Sequence, residues 1–232
     1  MAPLRLLSTL GVAGVMQALA PRFERAEGLS LDSTFLPTLS LMERIRASEP
    51  VDVAILTGDA MDELDASGLL QPGTRADLAR SFVGIAVRAG AVRPDIGTVE
   101  AFVATMLAAP SVALSRAGAS GIFFAGLLQR LGIADAVMAK ATVIPSGFTA
   151  ELLVQGEAAL AVQQVSELMV VPGVDIVGRL PTGIEGVTLF AAAVFAGSAH
   201  PAAAALVRFL ADPAHGPLLR ACGLEPASPA AP

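Results

Sequence analysis

The chain has no tryptophan and no tyrosine, which leaves phenylalanine as its sole aromatic residue. Broad rings with a polar edge are missing, and with them the usual platforms for stacking sugars or nucleic-acid bases. Polar recognition therefore falls to Ser, Thr, Gln, Arg and backbone N–H groups. A single cysteine, Cys222, excludes an internal disulfide and a cysteine-ligated metal cluster, and reads as a packed apolar side chain. The two histidines, His200 and His215, are too few for a His-rich metal site, and nothing shows calcium-loop or zinc spacing. No cofactor is expected. Charged residues make up only 16 % and the net charge is −6, which excludes the basic surface that nucleic acid demands. A small anionic ligand remains open, because local fields govern a pocket. Although 54 % of residues are hydrophobic, no run of about 18 apolar residues escapes a charge or a breaker, so direct membrane insertion is not expected.

The 232 residues suffice for one large domain or two lobes with ample core. Short apolar runs alternate with helical patterns: "LRLLS" (4–8), "LSLDSTF" (29–35), "VDVAIL" (51–56), "FVGIAVR" (82–88), "SVALS" (111–115), "ATVI" (141–144), "ALAVQ" (159–163), "VDIVG" (174–178) and "VTLFAAAVFA" (187–196) read as strands. Helices are expected over 11–27, 38–48, 59–66, 98–108, 119–131, 147–155, 201–211 and 213–221. This alternation predicts an α/β fold with largely parallel sheets. The first twenty residues have the outline of an export signal, but "LRLLS" reads better as a buried strand and "GVAGVMQALAPRFERAEG" as an amphipathic helix. On that reading no export signal is visible, and the location is periplasmic if a leader once preceded the chain, otherwise cytoplasmic. Met16, Met42, Met61 and Met106 read as core fillers, and only the tail "EPASPAAP" looks loose.

The turns after the strands carry the functional signal. In "SRAGASGIFFAGLLQRLGI" (115–133), Gly118 is expected to supply special backbone freedom and Ser115 or Ser120 to cap the following helix. Free N–H groups and the helix dipole make such a start an anion seat, to which Arg116 adds a fork suited to a carboxylate. Four more turns follow the same design: Ser8, Thr9 and Gly11 in "LSTLGVAG"; Thr38 and Ser40 in "FLPTLSL"; Thr57 and Gly58 in "AILTGDA"; Ser146 and Thr149 in "VIPSGFTAEL". In a parallel sheet these lie at the carboxyl ends of strands, where ligands bind. Nucleotide loops and the nucleophile elbow are absent.

Taken in order, "LSTLGVAGVMQALAPRFERAEG", "VDVAILTGDAMDEL", "SFVGIAVRAGA", "SRAGASGIFFAGLLQRLGI", "VQGEAALAVQQVSEL" and "VFAGSAHPAAAALVRFLADPAHGPLLRACGLEP" give a chain that resembles type 2 periplasmic solute-binding proteins, nearest the molybdate-binding branch. The resemblance implies two α/β lobes, each a mostly parallel sheet flanked by helices, 1–82 plus 190–232 and 83–189, with the ligand in the cleft between them. It also implies a membrane subunit of an ABC transporter as partner. Carried over by position, the branch's usual first serine falls at Gly11, the second contact turn offers Thr38, the second lobe offers Ser120 and Ser146, and a tyrosine common in the branch falls at Gln164. Losing that Tyr and one Ser while adding Arg116 favours a small organic carboxylate over a molybdate-type oxyanion.

Three functions fit this reading. One is a passive receptor for a small anion. Another is an isomerase of a small unsaturated carboxylic acid on the same scaffold, since the broad class also contains aconitate isomerase; Asp59 and Glu167 are then the candidate proton carriers, each equally readable as an ordinary first-turn helix acid. The third is a sensor that reports an anion to a partner protein, because no helix-turn-helix with a basic recognition helix is present.

Overall fold

The structure, a computed structural model, describes residues 2–227. Along the chain run β1 (Leu4–Thr9), a 3₁₀ turn (Leu10–Val12), α1 (Ala13–Glu27), β2 (Leu31–Leu36), α2 (Thr38–Arg46), β3 (Val53–Thr57), α3 (Gly58–Ala66) and β4 (Ala76–Arg88). Next come α4 (Val99–Ala108), β5 (Val112–Ser115), α5 (Ala119–Arg130), α6 (Ala134–Met138), β6 (Ala141–Ile144), α7 (Ala150–Gln155), β7 (Leu160–Gln164) and α8 (Val165–Leu168). The remainder holds β8 (Val174–Arg179), β9 (Val187–Val194), α9 (Ala203–Leu210), a 3₁₀ turn (Pro213–His215), α10 (Gly216–Ala221) and β10 (Glu225–Pro226). Two compact units result, one built from the segment up to Ser81 and the segment from Thr188 on, the other from Phe82–Val187.

In unit 1, β2, β1 and β3 are parallel neighbours and β9 runs antiparallel beside β3. In unit 2, β6, β5 and β7 are parallel, while the second half of β4 pairs antiparallel with β7 and β8. The sheets are thus mixed: strands followed by crossover helices are parallel, and β4 and β9, which carry the chain from one unit to the other, enter antiparallel. The tail is less loose than expected, since Glu225 and Pro226 pair with Arg80 and Ala79 of β4; residues 228–232 lie outside the described residues.

Each unit has two cores because each sheet is covered on both faces. On β1 and β3, Leu4, Leu6, Val53 and Ile55 face one cluster, while Leu7, Ala54 and Leu56 face the other. In unit 2, Val112, Leu114 and Val162 face one side and Ala113 and Ala161 the other. This alternation with both faces apolar is why the strands read as continuous hydrophobic runs. The helices α1 and α9 share a core in which the Phe23 and Phe209 rings lie 5.4 Å apart. All four methionines singled out above are buried, and Cys222 packs against the first core.

Among the ion pairs of unit 1, one reaches a buried carboxylate. Arg5 grips Asp52 with two side-chain hydrogen bonds of 2.9 Å, and its backbone N–H and the Ser198 hydroxyl add bonds of 3.0 and 2.8 Å. The Arg5 guanidinium above all holds the nearly buried Asp52 carboxyl down to about 2.

Candidate functional site

Because parallel strands end together, the turns after β1, β2 and β3 gather at one end of the unit 1 sheet. Ser8 is buried and its hydroxyl donates to the Thr9 carbonyl at 3.2 Å. Thr9, in extended backbone, precedes the 3₁₀ turn and caps nothing with its side chain. Gly11 follows within that turn, where a Cβ would stand 2.2 Å from the Phe190 Cζ. The ring fills the space that a side chain at this position would need. Thr38 is buried in the first turn of α2 behind Pro37. Thr57 caps α3, accepting the Ala60 N–H at 3.4 Å, which leaves its own O–H to donate. Asp59 is exposed beside it.

The turns after β5, β6 and β7 likewise share one end of the unit 2 sheet. Two expectations for the β5–α5 turn need correction. Gly118 has ordinary extended backbone (φ −79°, ψ 150°). Glycine is required by crowding instead: a Cβ would lie 2.6 Å from the Ser115 Oγ, and one at Gly121 would lie 1.8 Å from the Ser115 carbonyl oxygen. Neither serine caps the helix, because α5 begins before Ser120 and Gly118 is its N-cap residue. The Ser115 hydroxyl instead accepts the Gly118 N–H at 3.1 Å, tightening the turn. The first N–H groups of α5 are thus left without a side-chain cap among the described residues. Beside them the Ser120 Oγ is buried and has no hydrogen-bond partner among the described residues. A buried hydroxyl in that state is rare, since most such groups have a protein or water partner.

Arg116 is exposed on the same turn; its backbone N–H donates to the Ile144 carbonyl at 2.8 Å, and its guanidinium enters no ion pair among the described residues. Ser146 is exposed between β6 and α7. Gln164 is buried at the start of α8, where the Glu167 carboxyl accepts its N–H at 3.3 Å. Burial pushes the Glu167 carboxyl up to about 7, against the bonds from Gln164 and Gln163. The sequence reading missed this depth, although Gln164-x-x-Glu167 has the spacing of a capping box. It also missed Gln163, which is fully engaged behind the turn. His200 Nε2 lies 3.1 Å from the Ala2 carbonyl, and His215 packs on the Phe209 ring at 4.8 Å. Among the described residues no three His, Cys, Asp or Glu side chains gather to hold a metal.

The profile of the family described as "Bacterial extracellular solute-binding protein" matches residues 4–225. The chain belongs to this family. Aconitate isomerase from Pseudomonas sp is 39 % identical over 230 residues, covering 96 % of this chain and 87 % of that one. The periplasmic molybdate-binding protein of Azotobacter vinelandii shares the fold with a TM-score of 0.79 at 18 % identity, covering 97 % of this chain and 99 % of that one. The tungstate-binding protein TupA of Desulfovibrio alaskensis G20 has a TM-score of 0.65 at 16 % identity, with 98 % and 100 % covered. Among the described residues, no helix is long and apolar enough to cross a membrane.

Proposed function

We propose that this chain binds a small organic carboxylate on strand-end turns, as the solute-binding component of an ABC transporter working outside the cytoplasm. The observation that carries the reading is the buried Ser120 hydroxyl without a partner at the start of α5. Unpaired, it costs desolvation energy; paired with an oxyanion, that cost is recovered. Ser8, Thr9, Thr38 and Thr57 in unit 1, and Ser120, Ser146 and Gln164 in unit 2, supply neutral donors, while Gly11 leaves room for Phe190. Arg116 supplies a charged fork that can hold a carboxylate through two parallel hydrogen bonds. Replacing Arg116 by Ala should weaken a bound tricarboxylate such as trans-aconitate by about 1.5–3 kcal/mol, read by calorimetry. Unchanged affinity would remove Arg116 from the site.

A second reading is supported by the relative named aconitate isomerase and by Glu167. An isomerase moves a proton between carbons next to carboxylates, and a carboxyl titrating at about 7 is matched to such work at neutral pH. Incubation with cis-aconitate in deuterated water, followed by proton NMR, separates the two. Deuterium entering the ligand, or a second isomer, supports turnover; an unaltered ligand that nevertheless binds supports the receptor.

A further inference from the structure

Behind the unit 2 turns lies a buried polar cluster that anion capture leaves unused. The Gln163 Oε1 accepts the Thr149 N–H at 2.8 Å and the Thr149 hydroxyl at 3.0 Å, and its Nε2 donates to the Gly147 carbonyl at 3.0 Å. An amide nitrogen has a second hydrogen, and the Gln163 side chain also bonds Glu167. Glu167 in turn accepts the Gln164 N–H. One buried carboxyl is therefore tied both to the loop that follows Ser146 and to Gln164.

Among the described residues no cation contributes to its state. The α8 helix packs on β7, which has no charged residue, and on β8. On β8, Asp175 accepts the Gly90 N–H and lies 3.5 Å from Arg93, while Arg179 lies over the Phe82 ring at 3.6 Å. On α7, Glu151 is exposed; on α5, Arg130 lies by the Phe123 ring at the far end. None of these charges offsets the effect of burial on Glu167.

We propose that anion capture on the unit 2 turns is coupled to proton uptake by Glu167. This rests on the anion-binding reading above. β5 and β7 are adjacent parallel strands, and neighbouring strands lie about 4.8 Å apart, so the helix starts that follow them open side by side. An anion on the Ser120 turn would face the Glu167 carboxylate at a distance on the order of 10 Å through poorly hydrated protein. Two such negative charges disfavour each other, and a proton on Glu167 removes the repulsion. Because burial already raises that carboxyl to about 7, the proton exchanges in the neutral range. An anion that raises the proton affinity of Glu167 must, by reciprocity, bind more tightly to the protonated form. Affinity therefore falls as pH rises through about 7.

The test uses protein labelled with ¹³C at the glutamate carboxyl, with trans-aconitate as the probe. The Glu167 signal, assigned by its absence in Glu167→Gln, should titrate near neutrality and move up by about one pH unit when the probe saturates the protein. Calorimetry should show wild-type affinity falling by about tenfold more than that of Glu167→Gln between pH 6 and pH 8.5, the effect of one like charge at that distance in an effective dielectric near 20. The comparison cancels any ionisation of the probe itself. A Glu167 midpoint unmoved by bound trans-aconitate overturns the coupling and leaves the anion reading standing. Absence of binding at every pH overturns both.

Discussion

Single residues here are explained by what stands next to them. Gly11 is small because the Phe190 ring occupies the space beyond it, with only 2.2 Å to a hypothetical Cβ. Phe190 is itself a fully buried part of the first core. Gly11→Ser should therefore cost about 1–3 kcal/mol in urea unfolding, the range for overpacking a tight site. Adding Phe190→Leu should recover part of that loss, so the two changes couple non-additively. If Gly11→Ser alone left stability unchanged, the ring would not be what requires a glycine there. Gly118 and Gly121 teach the same lesson: their backbones are ordinary, and crowding against Ser115 selects glycine.

At the level of elements, the β1–β3 layer is fastened by Arg5, Asp52 and Ser198. Asp52 has its carboxyl lowered from 3.8 to about 2, so its stabilising contribution is complete above 3.8 and fades as pH falls through about 2. Asp52→Asn should lower stability by about 1.5–3 kcal/mol near neutrality, and the difference from wild type should shrink on acidification toward pH 2, measured by denaturant unfolding across pH. A gap that stays constant would mean that the carboxylate charge contributes nothing. Regular elements were legible wherever hydrophobic period and turn chemistry agreed. "ATVI" is β6 as read, and "LRLLS" is the body of β1. Short pieces were not legible. The five residues of α6 and four of α8 have too few turns to show a period, and β10 forms only because β4 offers it an edge. The candidate site was legible as a set of turns, because Ser, Thr and Gly cluster there. Its buried half was not: nothing local marks Gln163, Gln164 and Glu167 as buried rather than solvated.

For the whole molecule, the proposed binding turns on the buried Ser120 hydroxyl, which has no partner among the described residues. Ser120→Ala separates the two sides of that statement. It removes a buried hydroxyl with no partner among the described residues, so the free protein should melt at the same temperature or higher. On the proposed reading it also removes a donor to the anion, so binding should weaken by about tenfold or more. Thermal unfolding of both proteins with and without trans-aconitate reads both effects in one experiment. At a concentration about 100 times Kd, wild type should gain about 2.7 kcal/mol, or roughly 5–10 °C for a chain of this size. Under the same conditions Ser120→Ala should gain clearly less. A wild type that no carboxylate stabilises, or a variant that gains as many degrees as wild type, would contradict the account.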